Sequence, residues 1–579
     1  MTYLVSISIG PVQDFIAAAR KTRDLWAGSY LLSEISRAAA QALADKQCQL
    51  VYPSRATVVN RDLSIPNKIL AIAPQGSSPA DLAKEASNAA EEKLFEFLDA
   101  ALEKVRTEYP EIDVKVCQSQ VETFLELYAA WWPMKDGNLV EAREQVEELM
   151  AGRKALRDFA QSASSAGVPK SSLDPGRDAV LDGRKVREHR TGQEHNLDIK
   201  QGEMLDAISL TKRFGPAQRF VSTARVAADP LIRRMKGSPT LEELRGLAEE
   251  MLKQKSQLCT SFSPESFPQY AEFPYDTSLF FSEGREEVAE DPAKDLVPDF
   301  THVLGRFLRD NELPSQLPAY YAILAADGDN MGKVVSEKAC SGGLKELEEF
   351  SKVLSKFSAN VREIVENQHN GALVYGGGDD VLAFLPLDRA LPCANALRQE
   401  FSNLTGCTMS VGIAIAHYAA PLQTAVRWAR EAERDAKAQS GKNALAVHLH
   451  TRTAGEEHIA ARHSWDDDPV NRWDLWTTML DERKLPSQAA YHLRQLACEF
   501  NGIMASDVLY KEAERILKRK RADSGTEELD QDAVANILRF AGGKNNMSAQ
   551  SLHGAVNEIL IARKIVPALT LTRQKGEQE

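Results

Sequence analysis

Residues 372–386 read ALVYGGGDDVLAFLP. Leu373-Val374-Tyr375 and the run 381–385 have strand lengths and strand residues, and Gly376-Gly377-Gly378-Asp379-Asp380 lies between them. Glycines between two apolar runs predict a β-hairpin, here with two adjacent carboxylates at its tip. Two acids at a tight turn repel each other, a cost that a divalent cation between them removes. A solvated Gly-Asp turn has the same local sequence, so the hairpin needs a second element to decide its meaning.

That element is AYYAILAADGDNMGK, residues 319–333. The run 320–325 is a buried-strand pattern ending in Asp327-Gly328-Asp329. Asn330 is placed to cap a helix that opens with Met331-Gly332-Lys333. A strand that ends in an acid and runs into a helix suits nucleotide chemistry. The acid binds metal, and the first free amides of the helix hold phosphate oxygens. Followed by a carboxylate hairpin, this is the palm arrangement of nucleotide polymerases and cyclases, in which acids of neighbouring strands share metals. Asp327, Asp379 and Asp380 are the expected ligands, with the Gly328 carbonyl beside them. Asp329 has an alternative role as a helix cap.

Residues 408–447 supply a third element, a strand at 410–416 followed by a helix with Leu422, Ala425, Val426, Ala429 and Ala432 on one face. Ala436-Lys437 and Gly441-Lys442-Asn443 come next. This order is similar to the end of GGDEF-type nucleotidyl cyclase domains, which implies that Lys437 and Lys442 face a triphosphate.

The chain as a whole resembles the large polymerase-like subunit of type III CRISPR effector complexes, closest to the III-B (Cmr) form. The resemblance rests on YLVSISIGPVQDFIAAARKTRDLWAGSYLLSEI (3–35), PKSSLD (169–174), GEMLDAISLTKRF (202–214), DGDNMG (327–332) and GGDD (377–380), in that order. It covers at least residues 3–450. It implies an α+β fold of two ferredoxin-like palm domains with helical linking and C-terminal domains. It also implies synthesis of a cyclic oligoadenylate messenger from ATP, with magnesium or manganese, when a complex pairs its CRISPR RNA with target RNA. The expected partners are the other complex subunits and, through them, those two RNAs. The nucleotide-facing residues would be Gly328, Asn330, Met331, Gly332, Gly377, Gly378, Lys437 and Lys442. An acceptor ATP would sit near Gly10 and a Gly28-Ser29 turn, where Arg20, Lys21 and Arg23 gather basic charge.

Composition fits a cytoplasmic multidomain protein. At 579 residues, about three or four domains are expected. The 43% hydrophobic and 26% charged content is ordinary for globular chains, and no apolar run is long enough for a membrane span. The opening residues run straight into a strand and lack the shape of a signal peptide. A formal net charge of −13 argues against a free nucleic-acid binder. Seven cysteines, at 48, 117, 259, 340, 393, 407 and 498, form no CxxC pair. Relatives often carry a zinc-binding cysteine cluster in the linking region; this sequence lacks it there, so no structural zinc is expected. Larger relatives begin with an HD-type nuclease. The 11 histidines here include no adjacent His-Asp pair, and no DNase activity is expected from these residues. The nuclease is either naturally absent or trimmed away.

Four parts are expected: a first palm over 1–165, with a strand at 122–133; a mainly helical linking region over 166–315, irregular near its start; the second palm over 316–455; and a helical region over 456–579 that frays at 574–579. The basic run Lys518-Arg519-Lys520-Arg521 reads as a solvated helix end rather than an RNA site. Three functions remain: a cyclic oligoadenylate synthase; an adenylyltransferase that joins AMP to another acceptor such as S-adenosylmethionine; and a structural subunit whose palm only organises the ribonucleoprotein. Clustered carboxylates argue against the last. A diguanylate cyclase fails on the two-palm length.

Overall fold

The structure, a computed structural model, describes residues 1–135, 138–156, 167–188, 197, 199–216, 219–254, 256, 258–286, 291–452, 458–485, 487–502, 506–519 and 530–572. Its first sheet has four antiparallel strands: β1 (Tyr3–Gly10), β2 (Gln49–Tyr52), β3 (Lys68–Ile72) and β4 (Glu126–Pro133), in the order β2-β3-β1-β4. Helix α1 (Thr22–Asp45) follows β1, and α2 (Pro79–Glu108) follows β3, each carrying a buried apolar stripe. This β-α-β-β-α-β order with its strand sequence is the ferredoxin-like palm. Helix α3 (Leu139–Ala155) covers β4 on the other face, with Leu139, Ala142, Val146 and Met150 buried.

The linking region contributes the strand pair β5 (Leu181–Asp182) and β6 (Met204–Leu205). Helices Ala207–Phe214, Thr223–Met235, Pro239–Lys253 and Val297–Asp310 follow. Between the last two, Phe267, Tyr270, Phe273 and Phe280 are buried in a cluster of edge-on and tilted ring contacts.

The second sheet has six strands in the order β12-β11-β10-β7-β9-β8. They are β7 (Tyr320–Gly328), β8 (Ala372–Gly377), β9 (Asp380–Leu385), β10 (Met409–His417), β11 (Ala444–Leu449) and β12 (Ile459–Ser464). Helix α4 (Met331–Arg362) joins β7 to β8, α5 (Ala390–Thr405) joins β9 to β10, and α6 (Leu422–Lys437) joins β10 to β11. The four strands β8-β9-β7-β10 repeat the topology of the first sheet. The duplication is therefore visible in strand order, although the two sequences show no evident self-similarity. Strand β11 lies parallel to β10, as its helical crossover requires. The C-terminal part is built on α7 (Pro469–Asp481) and α8 (Ala549–Thr572), where buried Glu558 accepts from Arg472 and Trp476. Among the described residues no helix is long and apolar enough to cross a membrane.

Several expectations need correction. The strand expected at 122–133 begins at Glu126, because 114–122 forms a helix capped by Asp113. Residues 459–464 are not helical. They form β12, which alternates inward Ala461 and His463 with outward neighbours and completes the second sheet. Gly28-Ser29 is not a turn but lies inside α1. The irregular stretch after 164 includes β5 and a short helix at 183–188. Lys518 ends a helix, Ser506–Lys518, while Lys520, Arg521 and the tail 574–579 fall outside the described residues.

The motif GEMLDAISLTKRF belongs to the core. Arg213 is fully buried and forms a fork with Asp24 of α1, at 2.5 and 2.7 Å, while Glu203 accepts from it at 3.1 Å. Burial disfavours the guanidinium, but its two carboxylate partners more than offset that and raise its pKa. Removing one partner of such a group strands the others in a dry interior. Arg213→Ala is expected to destabilise the fold by about 3–5 kcal/mol, read as a lower urea midpoint.

Candidate active site between the two sheets

Ala326 of β7 pairs with Val381 of β9. The next residues, Asp327 and Asp380, therefore emerge together at one end of the sheet. Asp379 stands between them in the two-residue turn that joins β8 to β9, closed by the pairing of Gly377 with Asp380. Gly378 takes φ 68° in this turn, and a Cβ there would fall 2.5 Å from the Tyr52 hydroxyl of the first palm. Only glycine fits both conditions. Gly328 ends β7 directly against Asp379 and Phe401. The structure thus brings together all three carboxylates expected from the sequence.

Helix α6 supplies the counter-charges. Arg430 donates to Asp380 at 2.9 Å and to Glu433 at 2.8 Å. Lys437 donates to Asp327 and lies 3.3 Å from Glu433. Residues at 430, 433 and 437 share one helix face because they are three and four apart. The helix can approach because β10 carries Gly412 beneath it, where a Cβ would lie 2.6 Å from Glu433 Cα. Arg430 and Glu433 were not anticipated, although this spacing in WAREAERDAK was a readable signal.

Burial, followed by the charges of Asp327 and Asp380, pushes the Asp379 carboxyl up to about 7. Burial also raises Asp327 despite the hydrogen bond from Lys437. Burial opposes the charge on Lys437, but Asp327 and Glu433 prevail and raise its pKa. Tyr52 is pushed well above its ordinary value, first by burial and then by Asp379.

Asp329 does not cap the helix. It is 2% exposed and accepts from the hydroxyls of Thr408 and Ser410 and from the Asn443 amide, at 2.8, 2.8 and 2.9 Å. It ties the end of β7 to β10 and to the Gly-Lys-Asn loop. Asn330 precedes α4 in a left-handed conformation, φ 56°, and its side chain makes no capping bond. The amides of Lys333 and Val334 both return to the Asn330 carbonyl, so the α4 N-terminus at Met331 and Gly332 faces the cleft. Lys442 sits in left-handed backbone, φ 56°, half-buried, with its amide on the Gln439 carbonyl. Of the two expected lysines, Lys437 is the one hydrogen-bonded to a carboxylate of the cluster.

Two cavities flank the cluster where the palms meet. One, of about 440 Å³, runs between Tyr52, Asn67 and Arg143 of the first palm and Asp327, Gly332 and Asp379 of the second. The other, of about 800 Å³, lies between residues 11–18 and Arg427, Arg430 and Arg434 of α6. Asp380 borders both. Each is large enough for a nucleotide-sized ligand. Buried Arg143 bonds Ser336 at 2.8 Å and Glu147 at 2.8 Å beside the α4 N-terminus, a contribution from the first palm that no sequence signal announced.

The acceptor residues expected in the first palm fare differently. Gly10 ends β1 opposite Glu126, just before the loop that borders both cavities. Gly28 packs against Lys212 and Ile16, and the Ser29 hydroxyl donates to the Val374 carbonyl at 2.8 Å. Arg20 lies 3.9 Å from Glu203, Lys21 begins α1 and Arg23 lies over the Phe220 ring. None of these three borders either cavity. Arg23 packs over an aromatic ring, while the Arg20 side chain stays half-exposed.

Comparisons with known proteins now have a geometry to meet. A model of the Cas10/Cmr2 second palm domain matches residues 320–446, and one of the CRISPR-associated protein Cmr2 N-terminal region matches residues 4–99. The CRISPR system Cmr subunit Cmr2 of Pyrococcus furiosus is 26% identical over 552 residues, with 77% of this chain and 61% of the relative covered. The chain thus spans less than two thirds of that relative's length. A solved type III-B Cmr-beta chain in the apo state superposes with TM-score 0.65 at 14% identity, covering 98% of this chain and 82% of that one. The Cmr-beta structure bound to cognate target RNA gives 0.63 at 15%, covering 92% and 80%. At these identities the likeness is one of fold.

The raised Asp379 pKa has a measurable sign. Between about pH 4 and pH 7 the unfolded chain carries this carboxylate ionised while the folded chain keeps it protonated. The native state then binds the extra proton, and its stability falls as pH rises. In metal-free protein, Asp379→Asn is expected to change the melting temperature little near pH 4 and to raise it increasingly towards pH 8. Parallel pH profiles for the two proteins would contradict the assignment.

Proposed function

We propose that this chain, whose residues 4–99 and 320–446 match Cmr2 and Cas10/Cmr2 family models, is a member of that family in its III-B branch and joins adenylates from ATP into cyclic oligoadenylate within a target-RNA-activated effector complex. The observation that carries this reading is Asp380 standing between two nucleotide-sized cavities, with Asp327 and Asp379 beside it. A donor and an acceptor nucleotide in those cavities would meet at the carboxylates.

The 3′-hydroxyl of the acceptor attacks the α-phosphate of the donor. The new P–O bond forms as the bond to pyrophosphate breaks, and the hydroxyl proton is lost. Both partners held in line at roughly 3–3.5 Å make this an intramolecular event. The α4 N-terminus at Met331 and Gly332, with Arg143 and Lys437, would hold phosphate charge. Three carboxylates form a hard, all-oxygen donor set that suits magnesium or manganese and suits softer ions poorly. Bound by Asp327, Asp379 and Asp380, such an ion would neutralise phosphate charge and acidify the attacking hydroxyl. Arg430 and Lys437 hold the carboxylates in place meanwhile. The partners would be the other Cmr subunits and, through them, CRISPR RNA and target RNA, in the cytoplasm. An acidic chain alone is a poor RNA ligand, so the isolated subunit should be nearly inactive.

The test is mass spectrometry of products from the assembled complex given ATP and target RNA, with and without S-adenosylmethionine. Cyclic oligoadenylate is expected from ATP alone. Asp379→Ala with Asp380→Ala is expected to abolish it while the complex still assembles. A conjugate that forms only when S-adenosylmethionine is added would overturn the product. Full synthesis by the double variant would overturn the site.

A further inference from the structure

A second group of ligating side chains lies on the other flank of α6. His448 and His450 belong to β11 and the residue just beyond it, and His458 directly precedes β12. The His448 and His458 rings are 4.3 Å apart, and those of His450 and His458 are 5.0 Å apart. Asp435 of α6 closes the group, with its Oδ2 2.9 Å from His448 Nε2. One ligand atom from each of Asp435, His448 and His458 lies within 4.8 Å of the others. His450 is stacked on Trp428 of α6 at 3.9 Å.

The cluster is poorly satisfied by protein groups alone. His448 Nδ1 and His450 Nε2 are buried with no hydrogen-bond partner. Buried polar atoms normally find one, and exceptions need a reason. We propose that Asp435, His448 and His458 bind a divalent transition-metal ion of the zinc class, with His450 as an adjoining imidazole. Two imidazoles and a carboxylate form a borderline donor set, in contrast to the all-oxygen set of the catalytic cluster. Ligands at roughly 2.0–2.2 Å around a tetrahedral ion stand a little over 3 Å from one another, which small side-chain rotations would reach here. Arg462 also donates to Asp435 Oδ2, at 2.5 and 3.2 Å. Its side chain is 45% exposed and can yield to solvent or remain as an outer partner of the carboxylate.

The test uses the full chain without an affinity tag. Protein is loaded with zinc in excess magnesium, desalted and assayed by elemental mass spectrometry. Cobalt is then substituted and its visible spectrum recorded. One retained equivalent, a tetrahedral cobalt spectrum and a higher melting temperature with zinc are expected. His458→Gln, at a half-buried position, should keep the metal-free melting temperature and weaken zinc binding by more than the roughly 10–100-fold that loss of an outer partner costs. His448→Gln should do likewise for the metal. No retained zinc in the wild type, or equal retention in both variants, would overturn the site. The readout is metal content, so its failure leaves the catalytic reading untouched.

Discussion

The two palms are joined at an unpaired strand edge, and the candidate active site depends on that junction. Strand β8 is the edge of the second sheet, so the carbonyls of Leu373 and Val374 have no neighbouring strand. Helix α1 of the first palm satisfies both. Trp26 donates through Nε1 to Leu373 and Ser29 through its hydroxyl to Val374, each at 2.8 Å. Trp26 also sets its ring edge-on to Phe384 at 5.2 Å, which seals the seam with apolar contact. The hairpin that carries Asp379 starts from this anchored strand, and Tyr52 closes over its turn. Both cavities exist only because the sheets are held this way.

Within that cleft, electrostatics oppose folding. Three carboxylates converge where water is scarce, and the protonation of Asp379 near neutrality measures the strain. Arg430, Glu433 and Lys437 relieve it with an alternating set of charges on one helix face. Such a set balances the cluster without cancelling it.

The parts legible in the sequence are those that local pattern determines. The GGGDD turn and the strand ending at Asp327 announced themselves, because glycine conformation, apolar runs and acid placement are all short-range. The ferredoxin-like order of both palms came from the family resemblance rather than from these elements. What could not be read is what depends on distant partners. Arg20 and Arg23 read locally as a basic cluster because their neighbours in the fold, Glu203 and Phe220, lie far along the chain. Ser29 looked like part of a turn because its true partner, Val374, lies far along the chain. Asp329 was indistinguishable from a cap or a ligand, since its three donors come from β10 and the loop at Asn443. The histidines at 448, 450 and 458 gave no motif because the fourth member, Asp435, lies on a helix.

Helix α6 links these two chemistries. Residues two apart on a helix point roughly 200° away from each other, given about 3.6 residues per turn. Glu433 therefore faces the carboxylates while Asp435 faces the histidines, and the two cannot move independently. A displacement of Asp435 towards β11 or away from it turns or shifts the segment that carries Arg430 and Lys437. Because Gly412 lets the Glu433 backbone touch β10, the helix has little freedom to slide and such a change must appear largely as rotation. Rotation would carry Arg430 and Lys437 the same way, because residues seven apart lie on one face, and would change both of their contacts with Asp380 and Asp327 together. An ion bound at the proposed histidine site would then bear on how the cations share the acids, without any contact between the two sites.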